Sequence, residues 1–165
     1  MGRDKRNEAK TEHFTKMIRP TMQTDAWRAL STTAQALYPW IKFEWHGPKA
    51  NNNGKLRLSV RQAAECLGCS RNTAARAFHD LQAKGFIVQT EAACLGISGE
   101  AKSPAYEVTE IALPTERSGR CLYKSWQANR EFPVAVTASN NPTGRNRGYD
   151  VDSVVVPLKR GRGHD

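Results

Sequence analysis

The chain has 165 residues, of which 39% are hydrophobic and 25% are charged, a composition that suits one soluble domain with polar ends. Lysine and arginine outnumber aspartate and glutamate by 25 to 16, giving a net charge of +9, and such an excess is typical of proteins that bind a polyanion. No stretch approaches the roughly 20 apolar residues of a membrane span, and the 4 cysteines are too scattered for the disulfide framework of a secreted protein. We therefore predict a cytoplasmic protein with reduced thiols and no membrane association.

Both ends of the chain are polar and basic. Residues 1–21 carry few apolar side chains, which predicts a flexible basic arm. Residues 139–165 are rich in glycine, asparagine and arginine, which predicts a flexible basic tail. Between them we predict one folded domain over residues 22–114 and an extension over residues 115–138, whose aromatic residues favour packed strands.

Two helices are predicted at the start of the domain. Thr24 and Asp25 offer helix-starting oxygens, and Ser31 can cap a second helix in which apolar residues recur at helical spacing. Pro39 predicts that this second helix ends or bends near Tyr38. The segment HGPKANNNGK at residues 46–55 has the composition of turns, so it predicts an exposed loop.

A strand, two more helices and a hairpin follow. Residues 56–58 alternate between apolar and polar side chains, as a strand does. Ser59 caps a helix that Gly68 ends, and Ser70 caps the next helix, which Gly85 ends. The inward positions of these two helices are Ala63, Ala64, Leu67, Ala74, Ala77, Phe78 and Leu81. Residues 86–90 and 105–109 predict two strands joined by a glycine-containing loop.

Only two residues, Gly68 and Cys69, separate the two capped central helices. Such a short turn makes the helices cross steeply, so that the first braces the second. Helix, tight turn, helix and hairpin is the order of a winged helix-turn-helix. The predicted fold class is therefore α+β, a winged helix-turn-helix with additional amino-terminal helices and flexible basic termini.

Polar side chains cluster on the outward positions of the second central helix. These positions are Arg71, Asn72, Thr73, Arg76, His79 and Asp80. Arginine can contact guanine and asparagine can contact adenine through paired hydrogen bonds, while hydroxyl groups and helix amino termini suit phosphate oxygens. Ser70 and Thr73 are therefore predicted to position a DNA backbone. The structural alternative is that Ser70 is only a helix cap and that the arginines form an ordinary solvated face.

Lys102 in the predicted hairpin is a further candidate for a phosphate contact, although Glu91 and Glu100 lie close to it in sequence. Arginines and lysines of the arm and tail are candidates too, because basic segments often become ordered on DNA. The alternative for the tail is that its charges only keep the protein soluble.

The segment SVRQAAECLGCSRNTAARAFHDLQAKGFI at residues 59–87 resembles the DNA-binding domain of GntR-type winged-helix regulators, and also the winged-helix modules of plasmid and phage replication initiators. In GntR-type regulators the residues that match Arg61, Ser70, Arg71 and Thr73 touch DNA. A basic residue common in that family is replaced by Ala75, with Arg76 following. The resemblance implies sequence-specific binding of double-stranded DNA by a bacterial transcriptional regulator on the nucleoid, with replication initiation or mobile-element maintenance as the alternative.

No effector domain of typical size follows Leu113, so we predict no small-molecule effector. Cys66 and Cys69 form a C-x-x-C pair, which in isolation suggests zinc or redox chemistry, but a second ligand pair is missing and we predict that both thiols pack in the core. The chain contains no phosphate-binding glycine loop, no G-x-S-x-G and no H-E-x-x-H. We therefore predict neither a metal, a cofactor nor an enzymatic activity.

Several aromatic residues have two open interpretations. Those of the first helices are predicted either to fill the core or to form a dimer contact: Trp27, Tyr38, Trp40, Phe43 and Trp45. Those of the extension, Trp126 and Phe132, are predicted either to pack on the body or to face a partner. A homodimer is predicted, because small regulators commonly read paired half-sites.

Overall fold

The structure of the chain is a computed structural model that describes residues 14–95 and 101–135. It contains five α-helices: α1 (Arg19–Met22), α2 (Asp25–Arg28), α3 (Thr32–Phe43), α4 (Val60–Leu67) and α5 (Arg71–Ala83). Its strands are β1 (Leu56–Arg57), β2 (Ile87–Glu91), β3 (Cys94–Leu95), β4 (Ala101–Lys102) and β5 (Ala105–Val108). The predicted α+β class is confirmed.

The sheet is small and antiparallel. Its strand order is β1-β5-β2, with Leu56 opposite Tyr106 and Ile87 opposite Val108. The pairing of β2 with β5 is irregular near Thr90, whose hydroxyl donates to the Gly54 carbonyl. Beyond this point the segments that follow β2 and precede β5 pair again as the separate β3–β4 ribbon. Residues 96–100, which hold the predicted hairpin loop, lie outside the described residues.

Phe86 is the centre of an aromatic cluster in the core. It is fully buried directly after α5, and it makes edge contacts with Trp27 and Tyr38 at ring-centre distances of 5.6 and 5.4 Å. Tyr123 stacks on it at 4.8 Å. Because these rings come from α2, α3, the start of the sheet and the carboxy-terminal extension, one cluster joins these four parts of the fold. The core interpretation of Trp27 and Tyr38 is thus confirmed, whereas Trp40 is 39% exposed.

The helix α3 passes through Pro39, so of the two outcomes predicted near Tyr38, a helix end or a bend, the helix end is wrong. A proline inside a helix removes one backbone hydrogen bond and costs about 3 kcal/mol in isolation. Leu37, Tyr38 and Ile41 flank the proline and are almost completely buried. Burial of three large side chains is worth more than the lost hydrogen bond, so tertiary packing keeps the helix continuous.

The composition of the asparagine-rich loop predicts that it is exposed, but one of its residues is buried. Asn53 is 2% exposed, and its amide nitrogen donates to the carbonyls of Val108 and Ile111 at 3.1 and 2.7 Å while its amide oxygen accepts from the Val108 N–H at 2.8 Å. The side chain thus takes the hydrogen bonds that a further strand residue would otherwise make at the end of β5. Buried polar groups are acceptable when they are satisfied in this way.

The predicted end segments differ from the structure in two respects. The boundary of the arm at residue 21 falls inside α1, and Thr21 is buried, so the last residues of the predicted arm belong to the folded body. The extension over residues 115–138 contains a 3₁₀-helix at Leu122–Ser125 and an isolated bridge between Gln127 and Arg130, not paired strands, within its described part. The tail over residues 139–165 lies outside the described residues.

Gly85 provides a sharp test of how this extension packs. Its φ is +76°, and an added Cβ would lie 2.7 Å from the Phe132 ring and 3.0 Å from the Tyr123 nitrogen. Gly85→Ala is therefore expected to lower the free energy of unfolding by about 2–4 kcal/mol, from backbone strain plus overpacking. Gly68→Ala is the matched control, because Gly68 also has a positive φ, of +62°, but nothing lies within 4 Å of its Cβ position. Equal losses for the two variants in urea unfolding would contradict the packing of Phe132 on Gly85.

Candidate nucleic-acid interface

The α4–α5 pair is defined by its caps, as the sequence predicts. The Ser59 hydroxyl accepts from the Gln62 N–H while the Gln62 side chain accepts from the Ser59 N–H, which is a complete capping box. Gly68 ends α4 in the left-handed conformation, with a φ of +62°. Ser70 then caps α5 by accepting from the Thr73 N–H. Both α3 and α4 pack against α5, so α5 is braced from two sides.

One face of α5 is left open to solvent. Asn72, Ala75, Arg76 and His79 are all exposed, and their spacing of i, i+3, i+4 and i+7 places them in one stripe. The opposite side of the helix is buried at all four of its predicted inward positions. Ala75 was not among the candidate residues, yet it lies within the stripe. We call these four residues the α5 stripe.

The start of α5 is electropositive. Arg71 is the first residue of the helix and is exposed, and the first turn of α5 contains no acidic residue. Within the described residues, neither Arg71 nor Arg76 forms a salt bridge. The helix dipole adds a partial positive charge at the same end. Two unpaired guanidinium groups and an exposed asparagine amide, Asn72, therefore lie near the amino terminus of one braced helix.

Ser70 and Thr73 are less available than predicted for phosphate contacts. The Ser70 hydroxyl accepts the Thr73 N–H at 3.1 Å, and the two hydroxyl oxygens are 2.9 Å apart. Ser70 is exposed and Thr73 half-buried. Their hydroxyl groups thus already satisfy each other and the helix end, as the helix-cap alternative describes.

The two remaining candidates lie on other elements. Arg61 is exposed on α4, where its guanidinium is 3.8 Å from the Glu65 carboxylate on the next turn, and such an exposed pair restrains the arginine only weakly. Lys102 is exposed in the β3–β4 ribbon opposite Cys94. Arg57 was not a candidate, but it donates to the Ser103 carbonyl and to Glu91. It therefore joins the two segments that enter and leave the ribbon. Its neighbours in the fold, not its position in the sequence, reveal this role.

Asp80 does not belong to the outward face, although its helical position predicted that it would. Its carboxylate accepts from the Ser31 N–H at 2.7 Å and forms a salt bridge with Lys84. It therefore ties the start of α3 to α5. Burial alone would raise the pKa of Asp80, but the hydrogen bonds from Lys84 and Ser31 outweigh it and hold the pKa below its usual value.

The lowered pKa of Asp80 has a consequence for stability. Because the unfolded chain holds this proton more tightly, the carboxylate stabilises the fold above the unfolded pKa, and that contribution is lost as pH falls through the folded pKa. Between about pH 5 and pH 2 the parent should therefore lose stability more steeply than Asp80→Asn does. Urea unfolding at a series of pH values measures this difference. Asp25→Asn, which removes an exposed carboxylate, is the control, and superimposable profiles for parent and Asp80→Asn would contradict the expectation.

The carboxy-terminal extension covers the end of α5. The Phe132 N–H donates to the Ala83 carbonyl at 2.8 Å, and the Ala135 N–H donates to the Gln82 side chain at 3.3 Å. Lys84 lies over the Trp126 ring, 5.8 Å from its centre. The packing interpretation of Trp126 and Phe132 is thus supported. Within the described part of the chain, the exposed side chains of α5 lie in its amino-terminal two-thirds.

Of the two thiols predicted to pack in the core, Cys69 packs against it and Cys66 does not. Cys66 is exposed and Cys69 is half-buried, because Cys66 lies on the solvent side of α4. Within residues 14–95 and 101–135, no three potential metal ligands of the histidine, cysteine, aspartate or glutamate type lie together. His79 lies in the α5 stripe and not near either thiol in sequence.

Comparison with protein-family models, curated proteins and solved structures found no match. The resemblance to GntR-type regulators and replication initiators therefore rests on the motif at residues 59–87 alone. Among the described helices, none combines the length and the apolar character needed to cross a bilayer.

Proposed function

We propose that the protein binds double-stranded DNA in a sequence-specific way by inserting the amino-terminal part of α5 into the major groove. The observation that carries this proposal is the exposed, unpaired set of Arg71, Asn72 and Arg76 on a helix whose other side is buried. These side chains match the hydrogen-bonding groups of guanine and adenine in the major groove. A groove about 12 Å wide admits one helix, and α5 is the helix that offers such a face.

The order of elements supports the same proposal. The helix pair α4–α5 is followed by β2, the β3–β4 ribbon and β5, and β1 completes the sheet at the far side of β5. This is the order expected of a winged helix-turn-helix, in which the ribbon is the wing. Lys102 on the ribbon and Arg61 on α4 then supply contacts to backbone phosphates on either side of the groove. The net charge of +9 favours such contacts at low ionic strength.

We further propose that the protein acts as a transcriptional regulator in the bacterial cytoplasm. Occupancy of a specific site would block or recruit polymerase, with phosphate contacts supplying much of the affinity and a few base contacts the choice of site. A map of the sites occupied across the genome of the host distinguishes promoters from replication origins. Occupancy confined to one origin would replace regulation by replication initiation as the role.

Selection from a pool of random duplexes with the full chain tests the DNA-binding proposal. A shared motif should emerge, and the selected duplex should bind at least tenfold more tightly than its shuffled sequence at the same salt concentration. Equal binding of selected and shuffled duplexes would refute sequence-specific recognition, since phosphate contacts alone do not distinguish them.

A further inference from the structure

A cavity of about 720 Å³ lies on a part of the molecule that the proposed DNA contact does not use. It is bounded by residues just before α1, by the carboxy-terminal half of α3 and by the segments at 48–51 and 110–116. Its volume is in the range of sites that bind small organic molecules. Ser31, Asp80 and the α5 stripe take no part in its walls.

The walls of the cavity are largely apolar and are held in place by hydrogen bonds. Ile18, Trp45, Ile111 and Leu113 supply apolar surface. The Trp45 indole N–H donates to the Asn51 side chain at 2.9 Å, and the Asn51 amide donates to the Ala112 carbonyl at 3.0 Å. The indole therefore keeps its position without a ligand, which lowers the entropy cost of binding one.

The charges around the cavity favour an anion. Lys42 and Glu110 are 5% and 6% exposed and form a salt bridge of 2.5 Å, so they neutralise each other. Lys16 and Lys49 are exposed at the rim, and Glu116 is the one exposed acidic residue among the described residues that line the cavity. Within the described residues, neither rim lysine forms a salt bridge. The rim therefore carries a net positive charge above an apolar interior.

We propose that this cavity binds a small organic anion, with an aromatic or aliphatic body against Trp45 and Ile111 and its anionic group at Lys16 and Lys49. An apolar interior with a few polar groups at the mouth is the usual design of a small-molecule site. The sequence predicts no small-molecule effector. The cavity instead lies within the same folded body, so the site needs no added domain.

Titration of the full chain with 1-naphthoate tests the proposal, and 1-naphthamide is the matched neutral probe. Saturable binding of 1-naphthoate should shift the backbone amide resonances of residues 45–51 and 110–116. The neutral amide should bind about two- to fivefold more weakly, the range expected for a solvent-screened charge interaction. The titration contains no DNA, so its outcome is independent of the DNA-binding proposal.

Two variants complete the test. Lys16→Ala combined with Lys49→Ala should weaken 1-naphthoate about fivefold and leave 1-naphthamide unchanged, because only the anion uses these charges. Lys124→Ala removes an exposed lysine of the 3₁₀-helix and should change neither. No saturable binding, shifts confined to other parts of the chain, or equal affinities for acid and amide in the parent would each overturn the proposal.

Discussion

Arg71→Ala and Arg76→Ala are each expected to weaken binding of a selected duplex by about 1–3 kcal/mol, the usual worth of a paired hydrogen bond to a base. Both guanidinium groups are exposed and free of salt bridges within the described residues. Their loss therefore removes contacts to DNA and disturbs few contacts within the protein. Fluorescence anisotropy with selected and shuffled duplexes at fixed salt measures the difference.

The control for this prediction is Arg117→Ala. Arg117 is exposed between β5 and the 3₁₀-helix, outside the helix pair. The variant has the same change in charge, so it should lower the affinity for selected and shuffled duplexes to a similar, small extent. If both α5 variants bound the selected duplex as the parent does, α5 would not be the reading helix.

Lys42→Met is expected to lower the free energy of unfolding by about 3–5 kcal/mol, because it leaves the Glu110 carboxylate buried without its cation. Among the described residues, the remaining donors to this carboxylate are the hydroxyls of Tyr38, at 3.1 Å, and Thr21. Two neutral hydrogen bonds do not replace an ammonium group in a site that is 6% exposed. A loss of this size is a large part of the stability of an ordinary domain. Urea unfolding and the shift in Tm measure it.

The double variant Lys42→Met with Glu110→Met separates a lost charge pair from lost packing. Removing both charges should recover at least half of the stability lost by Lys42→Met, since an apolar pair of similar volume can replace a buried ion pair. Lys49→Met, at the exposed rim of the same cavity, should change stability by less than about 0.5 kcal/mol. A double variant no more stable than Lys42→Met would show that the Glu110 charge is not the source of the loss.

The helix pair could be predicted almost to the residue, because its signals are local. Ser59, Gly68 and Ser70 act on backbone groups within four residues of themselves, and the apolar stripes follow the helical period. The exposure of Arg76 follows from the same period, whereas Arg71 shares the period of the inward Ala74 and Phe78 and is exposed at the first position of the helix. Ala75 shares the outward period with Asn72 and His79 but was not a candidate, because alanine carries no polar group that could contact DNA.

Local chemistry also determines where the chain turns and which class of fold results. The two strands of the hairpin, the α+β class and the order of helix, turn, helix and hairpin all follow from caps, glycines and periodicity. These signals depend on residues close together in the sequence, so they can be interpreted without the folded structure.

The continuity of α3 through Pro39, the burial of the Asn53 and Glu110 side chains and the half-buried position of Asp80 could be decided only by the tertiary structure. Each depends on a partner far along the chain: Asn53 on Val108, Asp80 on Ser31, and Glu110 on Lys42 and Thr21. A polar side chain is buried only where distant groups satisfy it. No local pattern carries that information, which is why Asn53 resembled a loop residue although its side chain is buried, and why Asp80 resembled a surface residue although it is half-buried.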